Sequence, residues 1–341
     1  MLLKVSQIEN REVWDDFLAQ EKPHSFLHSW QWGEFNQRIN TRIERLGVYN
    51  GDQLIAIALI LFVKARRGSF LLCPHGPIIS TQQEKGEVLK ALTEYLRKVA
   101  EPKYTCLRIS SLLPSTVENA NLFKTLGYRN SPVHMVHPEL AWILDVRNSS
   151  EELLRNMRKS TRYSVKKAEK EGVTVRSSNN PKDIDLFWRV YETTVTRQHF
   201  TPFSKEYLQG EFEIFSADNN AMFFFAEYQG ETTAAALIVF DEQSGYYHHG
   251  ATTQKYPGLT DAQLLQWQII QEVKKRGCTY YNFWGVVPGN NKNHPWAGLS
   301  IFKRGFGGFE EKYLHAQDLI LSSRYYISYL IDTARKIKRG L

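Results

Sequence analysis

Lys303 and Arg304 stand side by side in "GLSIFKRGFGGF" (298–309), among aromatic, aliphatic and glycine residues. A second set of cations lies upstream in "EELLRNMRKSTRYSVKKAEKE" (151–171). Read as one helix at about 100° per residue, Arg155, Arg158, Lys159, Arg162, Lys166 and Lys170 share an arc of roughly 120°. Leu153, Leu154, Met157, Val165 and Ala168 fall on the other side. From 155 to 170 seven cations meet only Glu169, a local charge of +6. The acids sit at the helix start, where they suit the dipole, so few i,i+4 pairs neutralise the stripe. Such a face suits an anion, with a phosphodiester backbone the leading candidate. The plain alternative is a solvated face that keeps the protein soluble. Tyr163, at the edge of the stripe, is placed either to stack on a base or ribose or simply to pack.

Other reactive residue types give weaker patterns. His248 and His249 are adjacent in an expected strand, so one should face in and the other out. Either titrates near neutral pH. Asp261 is expected as a helix cap. The histidines of "HPE" at 137 and "HPW" at 294 are isolated and not ligand sets. With no nucleophile triad, metal cluster or P-loop in the sequence, neither an acyl-enzyme, a metal nor a cofactor is expected.

The elements that hold these residues repeat. "VYNGDQLIAIALILF" from Val48 matches "EYQGETTAAALIVF" from Glu227. Tyr49 and Tyr228 are 179 apart, as are Gly51 and Gly230, while Phe62 and Phe240 are 178 apart. "LFKTLGY" at 122 faces "IFKRGFG" at 301, and Phe123–Phe302 and Lys124–Lys303 are again 179 apart. Asn-Gly and Gln-Gly before half-buried runs signal hairpins. Helical segments follow at 84–100 and 261–276, the second opening on a capping-box pattern, Thr260 to Gln263, and stopping at Gly277. Strands are expected at 105–110 and 279–285. This order is α+β with a mixed central sheet. It resembles the GNAT acyltransferase fold and implies two tandem GNAT-like domains, 1–145 and 146–320, with a basic helix at 321–341.

Composition agrees with a globular enzyme. The 341 residues are 42% apolar, with a net charge of +7 that favours an anionic partner. Cys73, Cys106 and Cys278 are widely spaced, as in a reducing compartment without disulfides. The N-terminus lacks the apolar core of a signal peptide. The longest apolar run, "LIAIALILFV" (54–63), is about half of the roughly 20 residues a spanning helix needs, and it reads as a buried strand. A cytoplasmic location is expected. The segment "SSRYYISYLIDTARKIKRGL" (322–341) reads as an amphipathic helix with Tyr326, Tyr329, Leu330, Thr333 and Ile337 on one side. Arg335, Lys336, Lys338 and Arg339 make its end cationic, so it suits either the anionic inner membrane leaflet or docking onto the second domain.

Several pieces taken in order, "HSWQWGEF", "NMRKSTRYSVKKAEKEGV", "HHGATTQKYPGLTDAQLLQWQII", "YYNFWGV" and "GLSIFKRGFGG", resemble the FemABX family of interpeptide-bridge peptidyltransferases. The resemblance covers nearly the whole chain and implies twin GNAT-like domains. It implies transfer of an amino acid from aminoacyl-tRNA to an amine of a muropeptide precursor, lipid-linked or nucleotide-linked. No coiled-coil arm is visible. In such a transfer, negative charge grows on the ester carbonyl oxygen, and a fixed cation can stabilise it by roughly 3–4 kcal/mol. By resemblance that cation is Lys303, after Phe302; Arg304 beside it is placed to serve the tRNA 3′ end or simply to point outward. An acceptor pocket is expected near Trp30, Trp32 and Tyr256; these aromatics suit domain packing equally. Where some relatives carry a phosphate-binding lysine after the tryptophan motif, this chain has Asn36, with Arg38, Arg66 and Arg67 nearby. The rivals are a CoA-dependent N-acyltransferase, whose R/Q-x-x-G-x-G/A loop "KYPGLTDAQ" (255–263) does not match, and a non-catalytic RNA-binding protein, which leaves the duplicated scaffold unexplained.

Overall fold

The computed structural model describes residues 3–65, 68–133, 137–198, 202–289, 291 and 294–338, without the side chains of 337 and 338. Arg66, Arg67, Arg339 and the side chains of Ile337 and Lys338 therefore lie outside the described residues. The chain forms two compact units, Met1–Glu139 with Lys312–Leu341, and Leu140–Glu311.

The first unit opens with β1 (Lys4–Gln7), α1 (Arg11–Gln20) and α2 (Trp30–Arg38). Then come β2 (Arg42–Asn50), β3 (Gln53–Val63), β4 (Ser69–Pro74), β5 (Ile78–Ile79), α3 (Lys85–Val99), β6 (Tyr104–Ser110), α4 (Val117–Thr125) and β7 (Tyr128–Asn130). The β2–β3 hairpin turns at Gly51, whose φ of +60° explains the glycine. The apolar run 54–63 is β3, buried on both faces along most of its length. Leu89, Leu92 and Leu96 of α3 pack on Leu46, Ile60, Leu71 and Leu107 of the sheet.

The second unit contains β8 (Leu140–Asp145), α5 (Ser150–Asn156), α6 (Lys159–Lys170), β9 (Thr174–Ser178), α7 (Ile184–Gln198) and α8 (Lys205–Ala217). It continues through β10 (Ala221–Tyr228), β11 (Glu231–Phe240), β12 (Ser244–Thr252), α9 (Asp261–Lys275), β13 (Tyr280–Gly285), α10 (Ala297–Arg304) and β14 (Phe309–Lys312) at its edge. Its sheet runs β14-β8-β13-β12-β11-β10-β9. The apolar face of α9, including Leu265, Ile269 and Val273, covers Ala234, Ala236 and Ile238 of β11.

The chain then re-enters the first unit. β15 (Gln317–Ile320) pairs antiparallel with both β6 and β7, and α11 (Tyr325–Lys338) follows. The first sheet is thus β1-β2-β3-β4-β6-β15-β7, with β5 on β3. The sequence reading carries the second domain to 320 and sets 321–341 apart, whereas the structure gives 312–341 to the first unit. The reason is a buried ion pair. Arg108 of β6 donates twice to Asp318 of β15, at 2.7 Å each, and the Tyr325 hydroxyl donates to Asp318 at 2.9 Å.

The repeat is plain in both units. The hairpin β2–β3 corresponds to β10–β11, α3 to α9, β6 to β13 and α4 to α10. Each sheet also holds a parallel pair, and these differ. In the first unit β4 and β6 pair along their length, from Ser69↔Tyr104 to Pro74↔Ser110, with one irregularity between Ser69 and Leu71. In the second, β12 and β13 pair only over Ser244–Tyr246 and Tyr280–Asn282. Beyond that point β12 runs on to Thr252 and β13 to Gly285, so the strands part.

Candidate functional site

Both strands are irregular where they part. In β12, Leu237 pairs with His249 and Ile238 with Tyr247, so His248 is the extra residue of a bulge. In β13, Asn282 pairs with Ile143 and Gly285 with Ala141, leaving Phe283 and Trp284 opposite the single residue Trp142. Trp284 has φ +67°, in the left-handed region, and its N–H donates to the Asn282 side chain at 2.8 Å. An aromatic residue held there stores backbone strain of the kind that clusters at functional sites. The two bulges face each other, with the rings of His248 and Trp284 5.7 Å apart.

Lys303 reaches this place from α10. It is 4% exposed, and its Nζ donates to the Gly285 carbonyl at 2.7 Å and lies 5.9 Å from the Tyr247 ring centre. Burial pulls its ammonium down to about 7. The duplicate lysine of the first unit, Lys124, is exposed on α4, so the equivalence in sequence is not one of environment. Ser300 fixes α10 by accepting the Val287 N–H at 3.0 Å and donating to the Trp296 carbonyl at 2.9 Å. The glycines after Lys303 are not a flexible run. A Cβ on Gly305 would stand 2.3 Å from Thr161 Oγ1, and one on Gly308 2.3 Å from the Ile143 carbonyl oxygen. They allow close packing against α6 and β8.

The neighbours of Lys303 in sequence are structural. Phe302 packs on the core, edge-on to Phe306 at 5.3 Å. Arg304 donates to the Val287 carbonyl at 2.6 Å and to Glu310 at 2.9 Å, and lies 5.4 Å from the Trp142 ring centre. Of the "FKR" triplet, Lys303 alone is placed at the parted strands.

The histidines correct the in-and-out expectation. Because of the bulge, both reach Glu211 of α8, His248 Nδ1 at 2.6 Å and His249 Nε2 at 3.1 Å. Burial raises the Glu211 carboxyl, but the two imidazoles outweigh it and hold the group at about 2. Burial lowers the His249 imidazole, and His248 lowers it further. Among the described residues, these three form the one group of His, Cys, Asp or Glu whose ligand atoms, all within 4.8 Å of one another, could share an ion. Sequence reasoning missed Glu211. The signal was there: with Leu208, Phe212 and Phe215, it is an acid on the apolar stripe of a helix.

The basic stretch 151–171 is two helices, not one. A capping box of Ser149 and Glu152 starts α5. Met157 then leaves the helix to enter the core, and the Arg158 N–H bonds the Gly305 carbonyl at 2.9 Å. Arg162 folds back on the carbonyls of Arg155, Met157 and Leu154, at 2.9, 3.2 and 3.3 Å. It closes the end of α5 instead of facing outward. Arg155, Arg158, Lys159, Lys166 and Lys170 are exposed. Lys159, Lys166 and Lys170 share one side of α6, and Tyr163 is 68% exposed.

At α9 the capping box is absent. The Thr260 hydroxyl donates to the Ser164 carbonyl at 2.7 Å, and Asp261 Oδ1 accepts the Ala262 N–H at 2.9 Å. A carboxylate thus occupies the helix start that a pyrophosphate would need.

The expected acceptor aromatics are packed within their own units. Trp32 of the first unit is 6% exposed against Phe26 and Phe35. Trp30 lies under the Arg45 guanidinium at 3.6 Å and donates to Glu34 at 3.1 Å. Tyr256 of the second unit donates to Glu231 at 3.0 Å and meets the Tyr228 ring edge-on. Asn36 is buried and donates to the Trp32 carbonyl at 2.8 Å, while Arg38 is exposed. All three cysteines are buried and unbridged. In the first unit a cavity of about 230 Å³ under α11 is lined by Phe70, Arg108, Tyr325, Tyr329 and Asp332. Its arginine is already paired with Asp318.

Comparison with known proteins places this geometry. The FemAB family model matches residues 9–232 and 227–329. The lipid II:glycine glycyltransferase of Staphylococcus saprophyticus is 20% identical over 224 residues, 63% of this chain and 54% of that protein. The one from Staphylococcus aureus strain COL is 22% identical over 227 residues, 64% and 53% of the two chains. The chain spans about half the length of the curated relatives it matches. Among solved structures, FemX superposes with a TM-score of 0.83 at 17% identity, over 96% of this chain and 100% of that one. A tandem GNAT protein from the clavulanic acid pathway gives 0.59 at 12% identity, over 94% and 99%. L-PGS from Bacillus licheniformis gives 0.57 at 16%, over 96% and 98%. These likenesses establish the fold, two tandem GNAT-like domains of α+β type.

Proposed function

The chain belongs to the FemAB family, and from that premise we propose that it transfers an amino acid from aminoacyl-tRNA to an amine of a peptidoglycan precursor, building an interpeptide bridge. One observation carries the reading: a buried lysine, Lys303, stands where the parallel strands of the second unit part. The printed activity of the matched relatives, glycyl transfer to lipid II, supports the acceptor class.

The chemistry follows from the geometry. The acceptor nitrogen attacks the ester carbonyl, a C–N bond forms, and the carbonyl oxygen becomes anionic. The ammonium of Lys303 meets that charge in a low-dielectric place, where it is worth far more than in water. The C–O bond to the ribose then breaks, and the ribose oxygen leaves with a proton. Phe302 and Arg304 hold α10 in place. Asp261 at the start of α9 speaks against a CoA pyrophosphate there. The decisive test is an in vitro assay with charged tRNA and lipid-linked or nucleotide-linked precursor. Transfer that ribonuclease abolishes supports the reading; activity driven by acyl-CoA and insensitive to ribonuclease defeats it.

The exposed cations of α6 are the proposed tRNA contacts. Each phosphate contact contributes about 0.7–0.9 to the slope of log K against log salt. Reversing Lys159, Lys166 and Lys170 to Glu should flatten that slope by roughly 2–3 in a filter-binding titration. An unchanged slope would place the tRNA elsewhere.

The proposed peripheral contact with an anionic leaflet falls to α11. Tyr326, Ile327, Leu330 and Ile331 are exposed on one side, with exposed Arg335 at its flank. Tyr329 does not belong to that side, because its ring lies 4.8 Å from the Arg129 guanidinium. Burying a Leu or Ile side chain in the interface is worth about 1.5–3 kcal/mol. Ile327→Glu with Leu330→Glu should therefore cut cosedimentation with phosphatidylglycerol vesicles at least tenfold. Equal binding by the variant would remove α11 from the membrane.

A further inference from the structure

We propose that His248 is the general base that takes the proton from the acceptor amine, and that Glu211 is the residue that positions it. The inference rests on the aminoacyl-transfer reading above and assigns a role that reading leaves open. Glu211 is fully buried, and its two oxygens are divided between the two histidines. A buried carboxylate is tolerated only when hydrogen-bonded. Neutral imidazoles do this by donating one N–H each. That bond fixes the tautomer of His248: Nδ1 carries the hydrogen and Nε2 carries the lone pair.

Placement follows from the β12 bulge. A regular strand would send His248 and His249 to opposite faces. The bulge turns both toward α8, and it sets the His248 ring beside Trp284. Trp284 directly precedes Gly285, whose carbonyl holds Lys303. The base is thus on one of the strands that part, and the cation, carried by α10, is held at the end of the other, one to receive a proton and the other to meet an oxyanion. The charge count favours the step. Glu211 with two neutral imidazoles carries one buried negative charge, and proton uptake by His248 cancels it.

Among the described residues, His249 on the same strand, Tyr191 of α7 and Tyr207 of α8 are ionisable neighbours of this cluster. Burial raises both phenols, and the Glu211 charge raises them further. Neither phenol competes for the proton near neutral pH. Arg197 of α7 is engaged further along β12, with the carbonyls of Thr252 and Thr253.

The step balances. The amine lone pair forms the C–N bond, and the nitrogen becomes an ammonium. His248 Nε2 takes one of its protons and becomes imidazolium, paired with Glu211. The ester C–O bond breaks with its electrons going to the ribose oxygen, which takes the proton back from the imidazolium.

The test uses the full chain, charged tRNA and a muropeptide acceptor in single-turnover transfer from pH 5.5 to 9. His248→Gln keeps a donor for Glu211 but cannot carry the proton. It should lower the rate about 10²–10⁴-fold, abolish the acidic limb of the pH profile, and leave tRNA affinity and acceptor KM unchanged. Glu211→Gln should lose less and shift that limb. His248→Gly should regain rate with added imidazole, which a merely structural role would not allow. Full activity of His248→Gln, or an unchanged acidic limb, overturns the base assignment and leaves the transfer reading intact. So does activity lost to a chelator and restored by zinc, which would give the three side chains to an ion. A wild-type protein that transfers nothing from charged tRNA sinks the reading itself and the base with it.

Discussion

Lys303→Met will abolish transfer and, at neutral pH, make the protein harder to unfold. The first effect is loss of a cation aimed at the developing oxyanion, about 3–4 kcal/mol or 10²–10³-fold in rate. The second comes from burial. The folded ammonium is held near 7 by desolvation, against an ordinary 10.5 when unfolded. Between those values the unfolded chain binds more protons than the folded one, so the lysine lets stability rise with pH across that window. Below about pH 7 its burial cost is fully felt, on the order of 5 kcal/mol at about 1.4 kcal/mol per pH unit. Methionine removes that cost and gives up the bond to the Gly285 carbonyl, about 1 kcal/mol. Denaturant melts from pH 6 to 10 should show the wild type gaining stability with pH and the variant nearly flat and higher at pH 6–7. A variant that is less stable at pH 7 would show that Lys303 is structural. Stability given up at one residue in return for activity is the expected trade at a catalytic position.

Asp318→Ala will cost about 3–5 kcal/mol, because it leaves the buried Arg108 guanidinium without its carboxylate. Hydrogen bonding to Asp318 raises the Arg108 guanidinium against the opposing, larger pull of desolvation, so the charge stays in the core and cannot neutralise. The Tyr325 hydroxyl loses its acceptor as well, loosening α11. Arg108→Met with Asp318→Leu should recover most of the loss, since an apolar pair of similar volume often replaces a buried ion pair without penalty. Chemical denaturation followed by circular dichroism measures both variants. A single mutant within 1 kcal/mol of wild type would mean that water reaches the pair.

How much of this was legible depends on whether the deciding force is local. The hairpins at Asn50-Gly51 and Gln229-Gly230, the strand 54–63 and the helices over 85–99 and 261–275 carry their own turn residues and periods, and they form as read. The capping pattern at Thr260 failed because the hydroxyl found the Ser164 carbonyl, nearly a hundred residues away in sequence. The basic segment broke at Met157 because the core took that side chain, a demand that a helical wheel does not see. The inward turn of both histidines needs a bulge, which is set by pairing with β11 and not by "YYHHGAT" itself. β15 is four residues long with weak alternation; only its ladder partners and Arg108 call it a strand. Lys303 stood out in sequence for its setting. Its partner, a backbone carbonyl, has no sequence signature at all.

The return of residues 312–341 sets an order of assembly during synthesis. The ribosome delivers β1 to β7 first, yet their sheet lacks the strand between β6 and β7 until Gln317–Ile320 emerges. Until then Arg108 waits without its carboxylate. Residues 140–311 are contiguous and can close their own sheet meanwhile, so the nascent chain completes its later half before its earlier one, reversing the usual amino-terminal-first sequence. A nonsense mutation just after β14 would spare the half that bears Lys303 and leave the other half open.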